Sequence, residues 1–115
     1  MLEKIENGIS YINEIISSYH DKLNSVSAKC YEAMETNAPI KSIQAMQKEF
    51  VSLMSELKAD ILSGVEKMEH TGDVLDCIKI FAHRCRREIE CYIHKMRCDV
   101  SIHTKKRRIE KNNAR

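Results

Sequence analysis

Residues 2–33 read LEKIENGISYINEIISSYHDKLNSVSAKCYEA, and their apolar side chains return every third or fourth place. Leu2, Ile5, Ile9, Ile12, Ile16, Tyr19, Leu23, Val26, Cys30 and Ala33 fall on one seam, with mostly polar residues between them. A strand would alternate at every second residue, and this stretch does not. Steps of three and four, sustained over more than four heptads, specify a long amphipathic helix of the coiled-coil kind. Gly8 costs about 1 kcal/mol against Ala in a helix, which is too little to break so long a pattern. The chain is helical from its start.

The same spacing continues outward from this segment. Near ETNAP the helix is expected to stop, with Thr36 or Asn37 capping a second helix and Pro39 tolerated in its first turn. Ile43, Met46, Phe50, Met54, Leu57, Ile61, Val65 and Met68 form the second stripe, which takes an eleven-residue rhythm from Phe50. HTGD ends it, with Gly72 in the left-handed conformation and Asp73 as the next N-cap. The third stripe is then Val74, Ile78, Phe81, Cys85, Ile89, Tyr92, Met96, Val100 and His103. After that the stripe is lost, and KKRRIEKNNAR reads as a frayed basic tail.

The expected fold is therefore all-α, an elongated antiparallel bundle of three long helices at about 2–35, 39–70 and 73–104. At about 1.5 Å per residue each helix is on the order of 50 Å long. Residues 1–104 form one helical domain and 105–115 the tail. Three glycines and one proline in 115 residues leave few places to turn, which excludes a many-stranded sheet. No uncharged apolar run approaches the roughly 18–20 residues that span a bilayer.

Charge divides the chain. Through Ile78 there are seven lysines against thirteen acids, a net of −6. From Lys79 onward twelve basic residues face four acids, a net of +8, and every arginine lies in this part. Arg84, Arg87, Arg97, Lys105, Lys106, Arg107 and Arg108 make the basic patch. Such asymmetry implies a partner for the basic third, either nucleic acid or the acidic helices of the chain itself.

The five cysteines are odd in number, with no Cys-x-x-Cys pair, and MLEKIENG does not read as a secretory signal. Reduced thiols in the cytoplasm are expected. Cys30, Cys77 and Cys85 read as core residues, because free cysteine behaves as a small hydrophobe. Cys91, His94 and Cys98 share a flank of the third helix. One helix face offers three ligands at most, and structural zinc wants four, so no metal and no cofactor is expected. No Gly-rich phosphate loop, His-Glu-x-x-His or Gly-x-Ser-x-Gly occurs, and no catalytic residue is assigned.

The stretch from Cys30 to Met68, CYEAMETNAPIKSIQAMQKEFVSLMSELKADILSGVEKM, carries a helix, a short break and then a Gln-x-Glu-Phe-like motif. In this it resembles the core of phasins, bacterial proteins that coat polyhydroxyalkanoate storage granules. Gln47, Glu49 and Phe50 match the motif, over about a third of the chain. The resemblance implies a non-enzymatic protein whose stripe of Phe50, Met54, Leu57, Ile61, Val65 and Met68 lies on a hydrophobic surface, as amphipathic helices lie on membranes. A helical scaffold or nucleic-acid-associated protein is the alternative, and a small helical secretion chaperone a further one. Tyr11, Ile15, Ile80 and Ile93 are expected to stay outside the seams, so that the chain self-associates or adsorbs to a granule.

Overall fold

A computed structural model of the chain describes residues 2–70, 72 and 75–113. These residues form three helices and no strand: α1 (Leu2–Glu35), α2 (Ile40–His70) and α3 (Asp76–Asn113). They pack as an up-down-up bundle measuring 67 × 20 × 19 Å, an elongated rod as the stripes require. Antiparallel pairing is fixed by contacts such as Tyr19 to Asp60 across α1 and α2, and Lys58 to Glu90 across α2 and α3. The parallel helices α1 and α3 keep level, with Gly8 against Ile78, Tyr31 bonded to Asp99 and Ala38 bonded to Arg107. A residue of α1 thus stands beside the α3 residue about 70 places later.

The first two stripes enter the core. Ile12, Leu23, Val26, Cys30 and Ala33 are buried on α1, and Ile43, Phe50, Met54, Leu57, Ile61 and Val65 on α2. Gly8 is buried too, and its role is steric. A Cβ there would lie 2.4 Å from Cδ1 of Ile78, so the missing side chain is what lets the two helices approach. Leu2, at the far end of the first seam, is exposed.

Helix ends follow backbone chemistry more than the caps expected of them. Asn37 does not cap α2. It takes a left-handed φ of 54° and closes α1, with Ala38 N–H bonded to Ala33 C=O and Asn37 N–H to Met34 C=O, the Schellman arrangement. The Thr36 hydroxyl turns back to the Glu32 carbonyl. Pro39 stands just before α2 and supplies the carbonyl that accepts its first helical bonds, from Ser42 and Ile43. Leu75 does the same for α3. Gly72 has the expected left-handed φ of 76°. Asp73 and Val74 lie outside the described residues, as do Ala114 and Arg115.

The third stripe is corrected in detail. Ile93 is 5% exposed and Tyr92 56% exposed, so the seam runs Ile89, Ile93, Met96 and Val100. Three-residue and four-residue steps compete at that point, and the apolar isoleucine takes the interior while the phenol remains wet. Ala82 enters the core, and Phe81 and Cys85 are half-buried at its edge. Cys77 is exposed, not part of the core. Tyr11 and Ile15 are also not free surface: they pack over Gly64 of α2, 3.0 and 2.9 Å from where a Cβ would stand. Only Ile80 of the four expected off-seam residues stays exposed.

Helix α3 does not fray after residue 104. It continues through Lys105, Lys106, Arg107 and Arg108 to Asn113. Arg107 holds it, donating from Nη1 to the Ala38 carbonyl at 2.5 Å, and Lys111 in the last turn favours the negative end of the helix dipole. Since Ala38 is level with Arg107, the last turn and a half of α3 projects beyond the α1–α2 turn.

Candidate association site

Two tyrosines tie α1 to its neighbours. Tyr19 donates to Asp60 on α2, and this bond, helped by partial burial, pushes its phenol up to about 12. Tyr31 donates to Asp99 on α3, and burial followed by that bond raises it to about 12 as well. The Lys95 ammonium sits 5.5 Å from the Tyr31 ring centre and 3.7 Å from the Asp99 carboxylate. Lys79 pairs with Glu69 at 3.0 Å and Lys58 with Glu90 at 2.5 Å, so α3 is pinned to α2 by charge at two levels.

Between α1 and α3 the bundle is less complete. A groove of about 410 Å³ opens there, with Phe50, Met54 and Leu57 of α2 as its floor. Ile16, His20, Asn24 and Ser27 form one bank, and Cys85, Glu88, Ile89 and Tyr92 the other. Burial, with the nearby Glu88 carboxylate, pushes the Cys85 thiol up, so it is a poor nucleophile at neutral pH. Cys30 is fully buried and its thiol is raised by burial alone. The groove has an apolar floor and a polar rim, the shape of a seat for another helix or an apolar chain.

The motif residues taken from the phasin resemblance separate in space. Phe50 enters the core, Gln47 lines a shallow recess with Arg97, and Glu49 faces outward beside Ala45 and Ser52. Of the stripe, Phe50, Met54, Leu57, Ile61 and Val65 are buried and Met68 packs against them. That stripe is used by the bundle itself, and Phe50, Met54 and Leu57 also floor the groove.

The basic patch does not gather into a single cluster. Arg84, Arg87 and Lys105 point outward from α3, and Arg97 leans toward α2. Arg107 and Arg108 line a cleft of about 570 Å³ with Asn37, Ile40, Glu110 and Lys111. Ile40, the first residue of α2, lines this cleft, and so does the Glu110 side chain. His94 Nε2 lies 3.4 Å from Cys98 Sγ, and Cys91 is exposed one turn earlier. Among the described residues no group of three His, Cys, Asp or Glu side chains is arranged to hold a metal ion. Arg86 Nε and His103 Nε2 are buried without a hydrogen-bond partner. Among the described residues no helix is long and apolar enough to cross a membrane.

Sequence reasoning missed two features. The groove could not be read from stripes, because it arises where two seams fail to meet. The projecting end of α3 was hidden because its anchor is one polar bond between residues 69 apart. Protein-family models, curated proteins and solved structures offer no match to this chain.

Proposed function

We propose that the chain is a non-enzymatic helical protein that works by association, with copies of itself or with a hydrophobic granule surface in the manner of a phasin. The observation that supports this reading best is the α1–α3 groove, whose floor is the apolar Phe50, Met54 and Leu57 of α2. A cytoplasmic setting suits five unpaired thiols. Adsorption to a polyester would use the Phe50–Met68 stripe, and that requires α1 or α3 to swing out. The α1–α3 seam is where opening costs least, because less apolar surface is closed there than along α1–α2. The test is adsorption to polyhydroxyalkanoate particles with hydrogen exchange read in parallel. Retained helicity with faster exchange in one outer helix is expected on binding. A protein that neither adsorbs nor self-associates at high micromolar concentration would contradict the proposal.

A second reading is nucleic-acid binding by the end of α3, favoured by the cleft that sets Arg107, Arg108 and Lys111 around the first turn of α2. Phosphate binding there would weaken steeply with salt, because neutralised phosphates release counterions. Arg108→Glu with Lys111→Glu would abolish it and leave granule adsorption intact.

A further inference from the structure

The outward faces of α1 and α3 differ in charge more sharply than their totals suggest. Along the outer stripe of α1, Glu3, Glu14, Asp21 and Glu35 are exposed, with Asn7, Ser10, Ser17, Asn24 and Ala28 among the residues between them at heptad spacing. Those two heptad columns hold no basic residue, and exposed Lys4, Lys22 and Lys29 lie beside them. The outer stripe of α3 is the reverse. Arg84, Arg87 and Lys105 alternate with exposed Ile80, Ile102 and Ile109, and Cys91, His94 and Cys98 fill the middle. No acid interrupts it.

The fold itself produces this purity. Three acids of α3 lie to the sides of that stripe: Glu90 pairs with Lys58 of α2, Asp99 accepts from Tyr31 of α1, and exposed Glu88 lines the groove, while Asp76 and Glu110 stand near the two ends of the helix. The remaining basic face also exposes three isoleucines, Ile80, Ile102 and Ile109.

We propose that the outer face of α3 docks on the outer face of α1 in a second copy of this chain, a deepening that rests on the association reading above. Charge complementarity chooses this occupant, and register supports the choice. Because α1 residues are level with α3 residues about 70 later, a second copy laid alongside in parallel and unshifted sets Glu14 beside Arg84 and Glu35 beside Lys105. Asp21 then falls level with Cys91, one turn beyond Arg87. Ile80 then meets Ser10, whose small side chain allows close approach, and Cys98 meets Ala28.

Size sets the strength. From Ile80 to Ile109 the face runs about 44 Å, and at about 10 Å wide it covers roughly 400 Å² on each copy, half of a standard stable interface. The contact is therefore weak, reversible and salt-sensitive. It also joins two different surfaces. A heterologous contact of this kind continues into a ring or filament instead of stopping at a pair.

The test uses two full-length variants, Arg84→Glu/Arg87→Glu and Glu14→Lys/Asp21→Lys, in nuclease-treated protein at low salt. All four positions are exposed, and circular dichroism checks that both variants keep their helices. In sedimentation velocity the wild type should pass beyond dimer as concentration rises. Each variant alone should associate at least roughly tenfold more weakly, since each pair changes from attraction to repulsion. Mixed together, the variants should associate again, because the acidic α3 face of one fits the basic α1 face of the other. Wild-type behaviour by either variant alone, no recovery on mixing, or assembly that stops at dimer would overturn the proposal while leaving self-association in place. A wild type that stays monomeric at low salt would overturn it along with self-association.

Discussion

Helix α1 packs against both neighbours, yet the two seams it makes are unlike. Against α2 it runs antiparallel and closes an apolar interface in which Ile12, Cys30, Ile43 and Ile61 have essentially no exposure. Against α3 it runs parallel and meets it at discrete points, chiefly Gly8 with Ile78 and Tyr31 with Asp99, leaving the groove between. One seam is core throughout its length. The other is a set of clasps around an unfilled space floored by Phe50, Met54 and Leu57.

The largest effect that separates the seams is cavity formation. Ile61→Ala should cost about 2–5 kcal/mol, the range for deleting a fully buried branched side chain. Tyr92→Ala, on the bank of the groove, should change stability by no more than about 0.5 kcal/mol. Urea denaturation of the two variants measures both. Equal losses would mean that the α1–α3 side is as closed as the other.

A smaller contrast comes from the glycines. Ala at position 8 gains about 1 kcal/mol of helix propensity, but its methyl must displace the fully buried Ile78, and such overpacking costs about 1–3 kcal/mol. Gly8→Ala should therefore destabilise. At Gly64 the obstructing atoms belong to half-buried Ile15 and Tyr11, which can yield, so Gly64→Ala should be neutral or stabilising. Thermal unfolding midpoints that move in opposite directions would bear this out.

The tyrosine clasps predict a pH dependence. Both phenols are raised from 10.0 to about 12 in the folded protein, so the proton is held more tightly there than in the unfolded chain. That stability is present in full below about pH 10 and is lost as pH climbs from 10 to 12. Tyr19→Phe and Tyr31→Phe should each flatten the alkaline limb of a stability-versus-pH curve. Ile93→Glu marks another difference. Placed in the core beside Met96 and Val100, it should unfold the protein, whereas Ile80→Glu on the exposed face should leave the fold intact.

Architecture was legible because burial writes a period into the sequence. The stripes of α1 and α2 are the core almost residue for residue, from Ile12 to Ala33 and from Ile43 to Val65. At Tyr92 and Ile93 the period allowed either residue inside, and only the neighbouring helices decide. The end of α3 lacked a stripe and still formed, held by Arg107 on a carbonyl that sequence spacing cannot locate. The phasin-like motif of Gln47, Glu49 and Phe50 was visible as letters, but its members point in three directions. The outer faces carried their charges all along. Their segregation depends on Glu90 and Asp99 pairing with Lys58 of α2 and Tyr31 of α1, contacts that sequence spacing does not locate.

The most direct test is sedimentation velocity of the full chain, free of nucleic acid, from low to high micromolar concentration, with and without polyhydroxyalkanoate particles. A protein built to associate should show a weight-average mass that rises with concentration, or should leave solution with the particles. A single monomeric species at every concentration, indifferent to the particles, would contradict association as its function.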